Sequence, residues 1–215
     1  MIDHEDAMRT AMGHFATGVT VVTARAEDGR PVGTTVNAIA SVSLRPPLLL
    51  VCLARDSVTL AVARESGSFV VNVLGEHQHE LSARFATKGD RTRPHEVDFG
   101  EDELGLPHLR GSLATIACSV DTIHGAGDHE IVIAEALATS IGERDLAPLL
   151  YFRGSYPRMS QGTCTGALDG LNANRSLTRT THGVSPSSPH MPPVLGSAGA
   201  VASYARSPMT EKPVR

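Results

Sequence analysis

Aromatic residues are scarce in this chain: 215 residues include no tryptophan, three tyrosines and five phenylalanines. A planar ligand would therefore be held by polar and aliphatic contacts rather than by a cage of rings. Cysteine is scarcer still. Cys52, Cys118 and Cys164 form no C-x-x-C pair, and the odd number argues against a disulfide framework and for a reducing compartment. No apolar run approaches the roughly 20 residues of a membrane span. The acidic opening MIDHEDAMRTAMGHF lacks the basic-then-apolar order of a secretory leader, so the expected location is cytoplasmic, with no membrane partner. An excess of positive charge is also missing. A formal net charge of -4 gives no electrostatic footprint for nucleic acid. The sequence holds no H-E-x-x-H, no zinc-spaced Cys/His cluster, no G-x-S-x-G, no Walker loop and no G-x-G-x-x-G. His77 and His79 stand two apart on a predicted helix, which turns their rings about 200° from each other. No metal is expected.

Charge and composition divide what remains into two parts. Residues 160–215 carry five basic residues and two acids, a net +3, so the rest of the chain holds -7 of the total -4. That last segment, with SPSSPHMPP at 185–193, shows no sustained period of 2 or 3.6. Such a stretch buries too little apolar surface to offset chain entropy. The expectation is a domain over 1–158 and a disordered Ser/Pro/Gly/Ala-rich tail over 159–215.

The first part is patterned. Ala7, Met8, Ala11, Met12 and Phe15 recur at helical spacing over 6–16. GVTVVTAR (18–25) reads as a strand, EDGR (27–30) as a hairpin turn and PVGTTVN (31–37) as the return strand. The Pro46-Pro47 pair closes the polar run that follows, since neither residue donates a ladder hydrogen bond. LLLVCL (48–53) reads as a strand buried on both faces. Asp56 or Ser57 caps a helix over 57–65 that Gly67 ends. SFVVNVLG (68–75) is a strand, 76–90 a helix, and 113–141 a long hairpin turning around Gly125-Ala126-Gly127. A short strand and turn lie in 147–156. Strands outnumber helices and come mostly as hairpins, which favours an antiparallel barrel over a parallel α/β sheet.

Four places carry candidate chemistry. In GTTVNAIASVSL (33–44) a row of hydroxyls and one amide either satisfies its own loop backbone or faces the polar edge of a planar ligand through Asn37, Ser41 and free backbone N–H groups. Arg55-Asp56-Ser57-Val58-Thr59 opens a helix, where capping and phosphate binding are both served by unpaired N–H groups and the dipole. Arg84 lies near the end of the next helix, either as a solvated cation complementing the dipole or as an anion contact. His129, beside Asp128 at a strand start, is either a surface residue or a substrate contact and proton donor.

Taken in order, MGHFATGVTVVTA (12–24), GTTVNAIASVSLRPPLLLVCLARDSVT (33–59), FVVNVLGEHQHELSARFATKGDR (69–91), GDHEIVIAEAL (127–137) and PLLYFRGSY (148–156) resemble the flavin reductase family. The resemblance implies a mainly β fold, an FMN-binding split β-barrel of Greek-key antiparallel strands with flanking helices. It implies an NAD(P)H:flavin oxidoreductase in which hydride passes to flavin N5, with FMN or FAD and NADH or NADPH as cofactors. The partners implied are a second copy in a homodimer and an oxygenase component that takes up reduced flavin. Residue by residue, Thr35, Val36, Asn37, Ala38, Ser41 and Val42 then run beside the flavin ring. Cys52, Leu53, Ala54, Arg55, Ser57 and Thr59 lie along the ribityl chain and phosphate. Arg84 and Arg91 fall near the phosphate or adenylate part, His129 by the nicotinamide, and Tyr156 at the pocket rim. The family stretch often reads N-S-F-T-S-V-S-L. This chain has Ala38, Ile39 and Ala40 there, which shifts weight to the backbone and to Thr35, Asn37 and Ser41. The alternative is a flavin-binding sensor or storage protein on the same barrel, without reductase activity.

Overall fold

A computed structural model of the chain describes residues 3–87, 97–143 and 145–159. In chain order it contains α1 (His4–Gly13), β1 (Thr17–Gly18), β2 (Thr20–Arg25), β3 (Pro31–Val36), β4 (Ile39–Leu44), β5 (Pro47–Ala54) and α2 (Val58–Ser66). There follow β6 (Ser68–Val73), a 3-10 turn (Glu76–Gln78), α3 (His79–Ala86), β7 (Phe99–Glu101), β8 (Pro107–Leu109), β9 (Ala114–Ala126), β10 (His129–Ile141) and β11 (Leu150–Tyr151).

Seven strands pair antiparallel in the order β3-β2-β6-β9-β10-β5-β4. The two edges, β3 and β4, are consecutive in the chain and joined only by Asn37 and Ala38. Three Cα steps reach at most about 11 Å. The sheet must therefore curl until its edges meet, although no ladder pairs β3 with β4. The Cys52 amide donates to the Ala38 carbonyl at 3.0 Å, which carries the β4–β5 pairing one step back into the link.

The inner face of the curl is the main core: Val22, Val36, Leu49, Val51, Leu53, Phe69, Val71, Cys118 and Val132, with Leu60 and Ala63 of α2 closing one end. Ser57 caps α2, its Oγ accepting from the Leu60 amide, and Gly67 ends it in the left-handed conformation at φ 70°. Both were expected from sequence. A second cluster, Val19, Val21, Leu74, Leu109 and Leu149, lies on the outer face of β2 and β6. There the fully buried Asn72 donates to the Val21 carbonyl at 2.9 Å and to Thr23 Oγ1 at 3.0 Å. Its Oδ1 accepts from the Leu109 amide at 2.7 Å. Thr23 Oγ1 in turn donates to the Pro107 carbonyl at 2.6 Å. The β7–β8 hairpin is pinned to the sheet by this network.

Several expectations are corrected. β5 is not buried on both faces: Leu49, Val51 and Leu53 are buried, whereas Leu48, Leu50 and Cys52 are half-buried. An antiparallel sheet buries one face fully, and the outward residues of β5 stand beside Ile133 and Ile131 of β10 instead of under a second layer. The stretch 39–44 is a strand with a bulge between Ser41 and Ser43, not a loop. The long hairpin turns at Gly127-Asp128, with Gly127 at φ 62°. The first helix begins earlier, because Asp3 accepts from the Glu5 amide at its N-terminus. The helix expected over 76–90 starts as a 3-10 turn and ends at Ala86, where Thr87 turns extended and its amide donates to the Arg84 carbonyl.

Candidate functional site

At the seam, the start of α2 faces β3 and the end of α3. Val32, Gly33, Thr34, Ala54, Asp56, Ser57, Val58, Thr59, Phe85, Ala86 and Thr87 enclose a cleft of about 120 Å3. The local sequence explains its shape. Ser57 holds α2's first turn, its carbonyl accepting from the Ala61 amide. The amides of Val58 and Thr59 come before the first possible intrahelical bond. They point out of a helix start that carries partial positive charge. Thr59 is buried, and its hydroxyl adds a donor beside them. Gly33 supplies the room: a Cβ there would stand 2.9 Å from Phe85 Cε1 and 3.2 Å from Thr23 Cγ2. Two amides, two hydroxyls and a helix dipole suit a phosphate group. A volume this small holds a phosphate and part of a polyol chain, so a ring system would extend outside it.

The residues expected around the ring, with Leu53 and Cys52 from the ribityl group, separate into four groups. Val36 and Leu53 point into the core and can offer only their backbones. Thr35 Oγ1 donates to the Ser82 carbonyl at 2.7 Å, which ties β3 to α3. Asn37, Ala38, Ser41 and Val42 lie on or beside the exposed edge strand β4, where Val42 is 48% exposed. Cys52 is half-buried one strand in, with its amide committed to Ala38.

Ser57, Thr59 and Ala54 line the cleft. Arg55 does not line it. The Arg55 amide donates to the Asp128 carbonyl at 3.1 Å, and its guanidinium lies where a Cβ on Gly125 would come within 2.8 Å of Nη2. His129 sits opposite Ala54 in the β10–β5 ladder, so it stands next to the cleft wall. Its Nδ1 is 2.8 Å from Asp128 Oδ1. That hydrogen bond holds the Asp128 carboxyl below the usual carboxylate range, with the neighbouring imidazole charge and Arg55 acting in the same direction.

Tyr156 is half-buried, its hydroxyl 2.9 Å from Ser82 Oγ and its ring edge-on to His79 at 4.8 Å. It therefore braces α3, the helix that brings Phe85, Ala86 and Thr87 to the cleft. Arg84 faces another concavity of about 350 Å3, with His77, Glu80 and Arg110. Arg91 lies outside the described residues. A larger concavity of about 760 Å3 opens on the far side, between the β7–β8 hairpin and the outer face of β9–β10, away from the α2 start. Sequence reasoning missed Gly33 and Phe85. A glycine inside a strand was the available signal, since it marks close approach by another group.

A curled antiparallel sheet with a helix start opening beside it defines a small, mainly β protein whose cleft presents donors of the kind that suit a phosphate group. The chain belongs to the flavin reductase family: the model of the flavin reductase like domain matches residues 12–160. It is 42% identical over 149 residues to the reductase subunit HsaB of a flavin-dependent monooxygenase from Rhodococcus jostii, covering 69% of this chain and 74% of the relative. It is 39% identical over 159 residues to the NADH-dependent FMN reductase SmoA of Agrobacterium fabrum, covering 74% and 88%. Among solved structures, the NADH:FAD oxidoreductase SgcE6 of Streptomyces globisporus, in complex with NAD and FAD fragments, superposes with a TM-score of 0.67. That match has 30% identity and covers 76% of this chain and 98% of the other.

Proposed function

We propose that this chain is an NADH-dependent flavin reductase that delivers reduced FMN or FAD to a separate oxygenase component. The observation carrying this reading is the family match across the whole patterned part of the chain, from residue 12 to 160. The relatives named above are reductases of this kind. The site fits the cofactor. Amides of Val58 and Thr59 with the hydroxyls of Ser57 and Thr59 take the flavin phosphate at the α2 start. The ring lies outside the cleft along Asn37–Val42, where the backbone of the edge strand bonds its polar side. Arg84 and Arg91 serve the more distant phosphate or adenylate part, and Tyr156 closes the rim through its hold on α3.

The flavin and the nicotinamide supply the redox chemistry between them, as a hydride moved to flavin N5. The chain's part is to stack the rings in reach of each other and to exclude competing geometries. His129, opposite Ala54 and oriented by Asp128, is the residue placed to meet the nicotinamide side. A reductase that hands its product on holds flavin loosely, which suits a phosphate site without an arginine in its lining.

The curled sheet is a split β-barrel in this reading, and the working protein is a cytoplasmic homodimer. The support for a second copy is the outer face of β5 and β10. Leu48, Leu50, Ile131 and Ile133 form an apolar strip there that is only half-buried, beside Val42 at 48% and Leu44 at 83% exposure. That strip adjoins the flavin ring's place, so the partner would complete the pocket. Residues 1–158 form the domain that suffices for activity, and 159–215 are dispensable for it.

The test is a four-way assay of NADH or NADPH against FMN or FAD, on the full chain and on one ending at Arg158. The expected result is flavin-dependent NADH oxidation by both. Absence of nicotinamide oxidation with every pair defeats the reading.

A further inference from the structure

Arg55 follows a course of its own beside the cleft. The cleft lining passes from Ala54 to Asp56 without it. Its side chain runs instead to the tip of the β9–β10 hairpin, over Gly125. The backbone fixes this course, because the Arg55 amide is bonded to the carbonyl of Asp128, the residue before His129. At the tip the chain has made space for the guanidinium. Any side chain at position 125 would meet Nη2 at 2.8 Å, while Gly125 itself is not in the left-handed region. Backbone conformation therefore does not require this glycine, and the group that a Cβ there would displace is the arginine head. Among the described residues the guanidinium donates no hydrogen bond, its charge acts on the nearby Asp128 carboxyl, and the residue is exposed.

We propose that Arg55 binds the reductant rather than the flavin: its guanidinium takes the pyrophosphate of the nicotinamide dinucleotide at the hairpin tip, and Gly125 is the positioning residue that admits it there. A guanidinium presents a planar fork of donors that matches phosphate oxygens in pairs. The hairpin tip is one residue from His129, so an anion held there places the dinucleotide along the same edge as the nicotinamide contact. The two ligands then divide the region: flavin phosphate on the amides of α2, dinucleotide phosphate on Arg55. This assignment rests on the flavin reductase reading.

The experiment uses full-length protein and equilibrium titrations with NAD+, FMN and riboflavin, which need no turnover. Arg55→Ala is expected to weaken NAD+ about tenfold, the equivalent of about 1.4 kcal/mol, and to leave the FMN-to-riboflavin affinity ratio at its wild-type value. Gly125→Ala, which displaces only the flexible end of a side chain, is expected to weaken NAD+ in the same direction. The double variant is expected to be no weaker than Arg55→Ala, because Gly125 acts through Arg55. A fall in the FMN-to-riboflavin ratio in Arg55→Ala, with NAD+ binding unchanged, overturns the assignment and returns Arg55 to the flavin phosphate. Additive losses in the double variant overturn the role given to Gly125. A wild-type chain that takes up neither FMN nor NAD+ overturns the flavin reductase reading, and this assignment with it.

Discussion

Gly33→Ala tests whether the cleft at the seam is the flavin phosphate site. The added Cβ would stand 2.9 Å from Phe85 Cε1, 3.1 Å from Phe85 Cδ1 and 3.2 Å from Thr23 Cγ2. Carbon atoms settle near 3.5 Å or beyond, so one neighbour must retreat by roughly 0.5 Å. Thr23 cannot, since it is fully buried and its hydroxyl is bonded to the Pro107 carbonyl at 2.6 Å. Phe85 must move, and Phe99 stands edge-on to it at 6.4 Å. The open direction is the cleft, which Phe85 lines and which measures only about 120 Å3. Overpacking of this kind costs about 1–3 kcal/mol. Replacing glycine where the backbone tolerates alanine returns about 0.4–1 kcal/mol through the unfolded chain. The net loss of stability then falls between about 0 and about 2.6 kcal/mol by the same two estimates, with its midpoint at about 1.3 kcal/mol, measured by urea unfolding. FMN affinity, followed by flavin fluorescence, should fall, while riboflavin affinity falls less. Gly33→Ala combined with Phe85→Leu should recover most of both losses. Unchanged stability together with unchanged FMN affinity in the single variant would refute the reasoning, because the ring would then not be a wall of the site.

Other outcomes follow from the same contacts. Asn72→Ala leaves the buried Leu109 amide without its acceptor and should cost about 2–3 kcal/mol in urea unfolding, the β7–β8 hairpin becoming the first part to open to proteolysis. Tyr156→Phe removes the hydroxyl bonded to Ser82 and keeps the stack on His79, so a loss of about 0.5–1.5 kcal/mol is expected; no loss would deny Tyr156 its bracing role. Burial pushes the Cys118 thiol up from 9.0 to about 12. Cys118 should stay unlabelled by a thiol reagent at pH 8 while the half-buried Cys52 reacts, as read by peptide mass mapping. The sign of its effect on stability follows from linkage. The unfolded thiol loses its proton near pH 9 and the folded one does not, so its contribution is intact below pH 9 and declines from there towards pH 12. Cys118→Ala should flatten that decline in alkaline unfolding curves.

Local signals were the most legible in the sequence. Ser57 and Gly67 bracket α2 because a cap and a left-handed terminus are decided within a few residues. Asp28-Gly29 fixed the β2–β3 turn for the same reason, with Gly29 at φ 83°. What failed depended on distant partners. The run 48–53 is apolar throughout, and nothing within it tells which residues face a core and which face an outer strip. The hydroxyls of 33–44 read as one polar row, yet Thr35 is taken by a carbonyl of α3 at position 82 and the rest line an edge strand. The cleft itself is made by Gly33 meeting Phe85, a contact across fifty-two positions that periodicity does not reveal. Arg55 is absent from the cleft lining although Ala54 and Asp56 on either side of it are present, and its amide's bond to the Asp128 carbonyl is a contact its neighbours in sequence do not reveal.

The two-residue link across the seam has a consequence for motion. Inner strands β2, β6, β9, β10 and β5 each have neighbours on both sides along much of their length, so their amides should exchange with solvent only in global unfolding. The outward amides of β3 and β4 lack a ladder partner, and the link at Asn37-Ala38 is a covalent tether that limits how far the edges part. Deuterium uptake should therefore be fastest along the same line where the flavin is expected to lie. A ligand seated there works as a clasp on a tethered opening, and its arrival should be visible as slowed exchange on both sides of the tether at once.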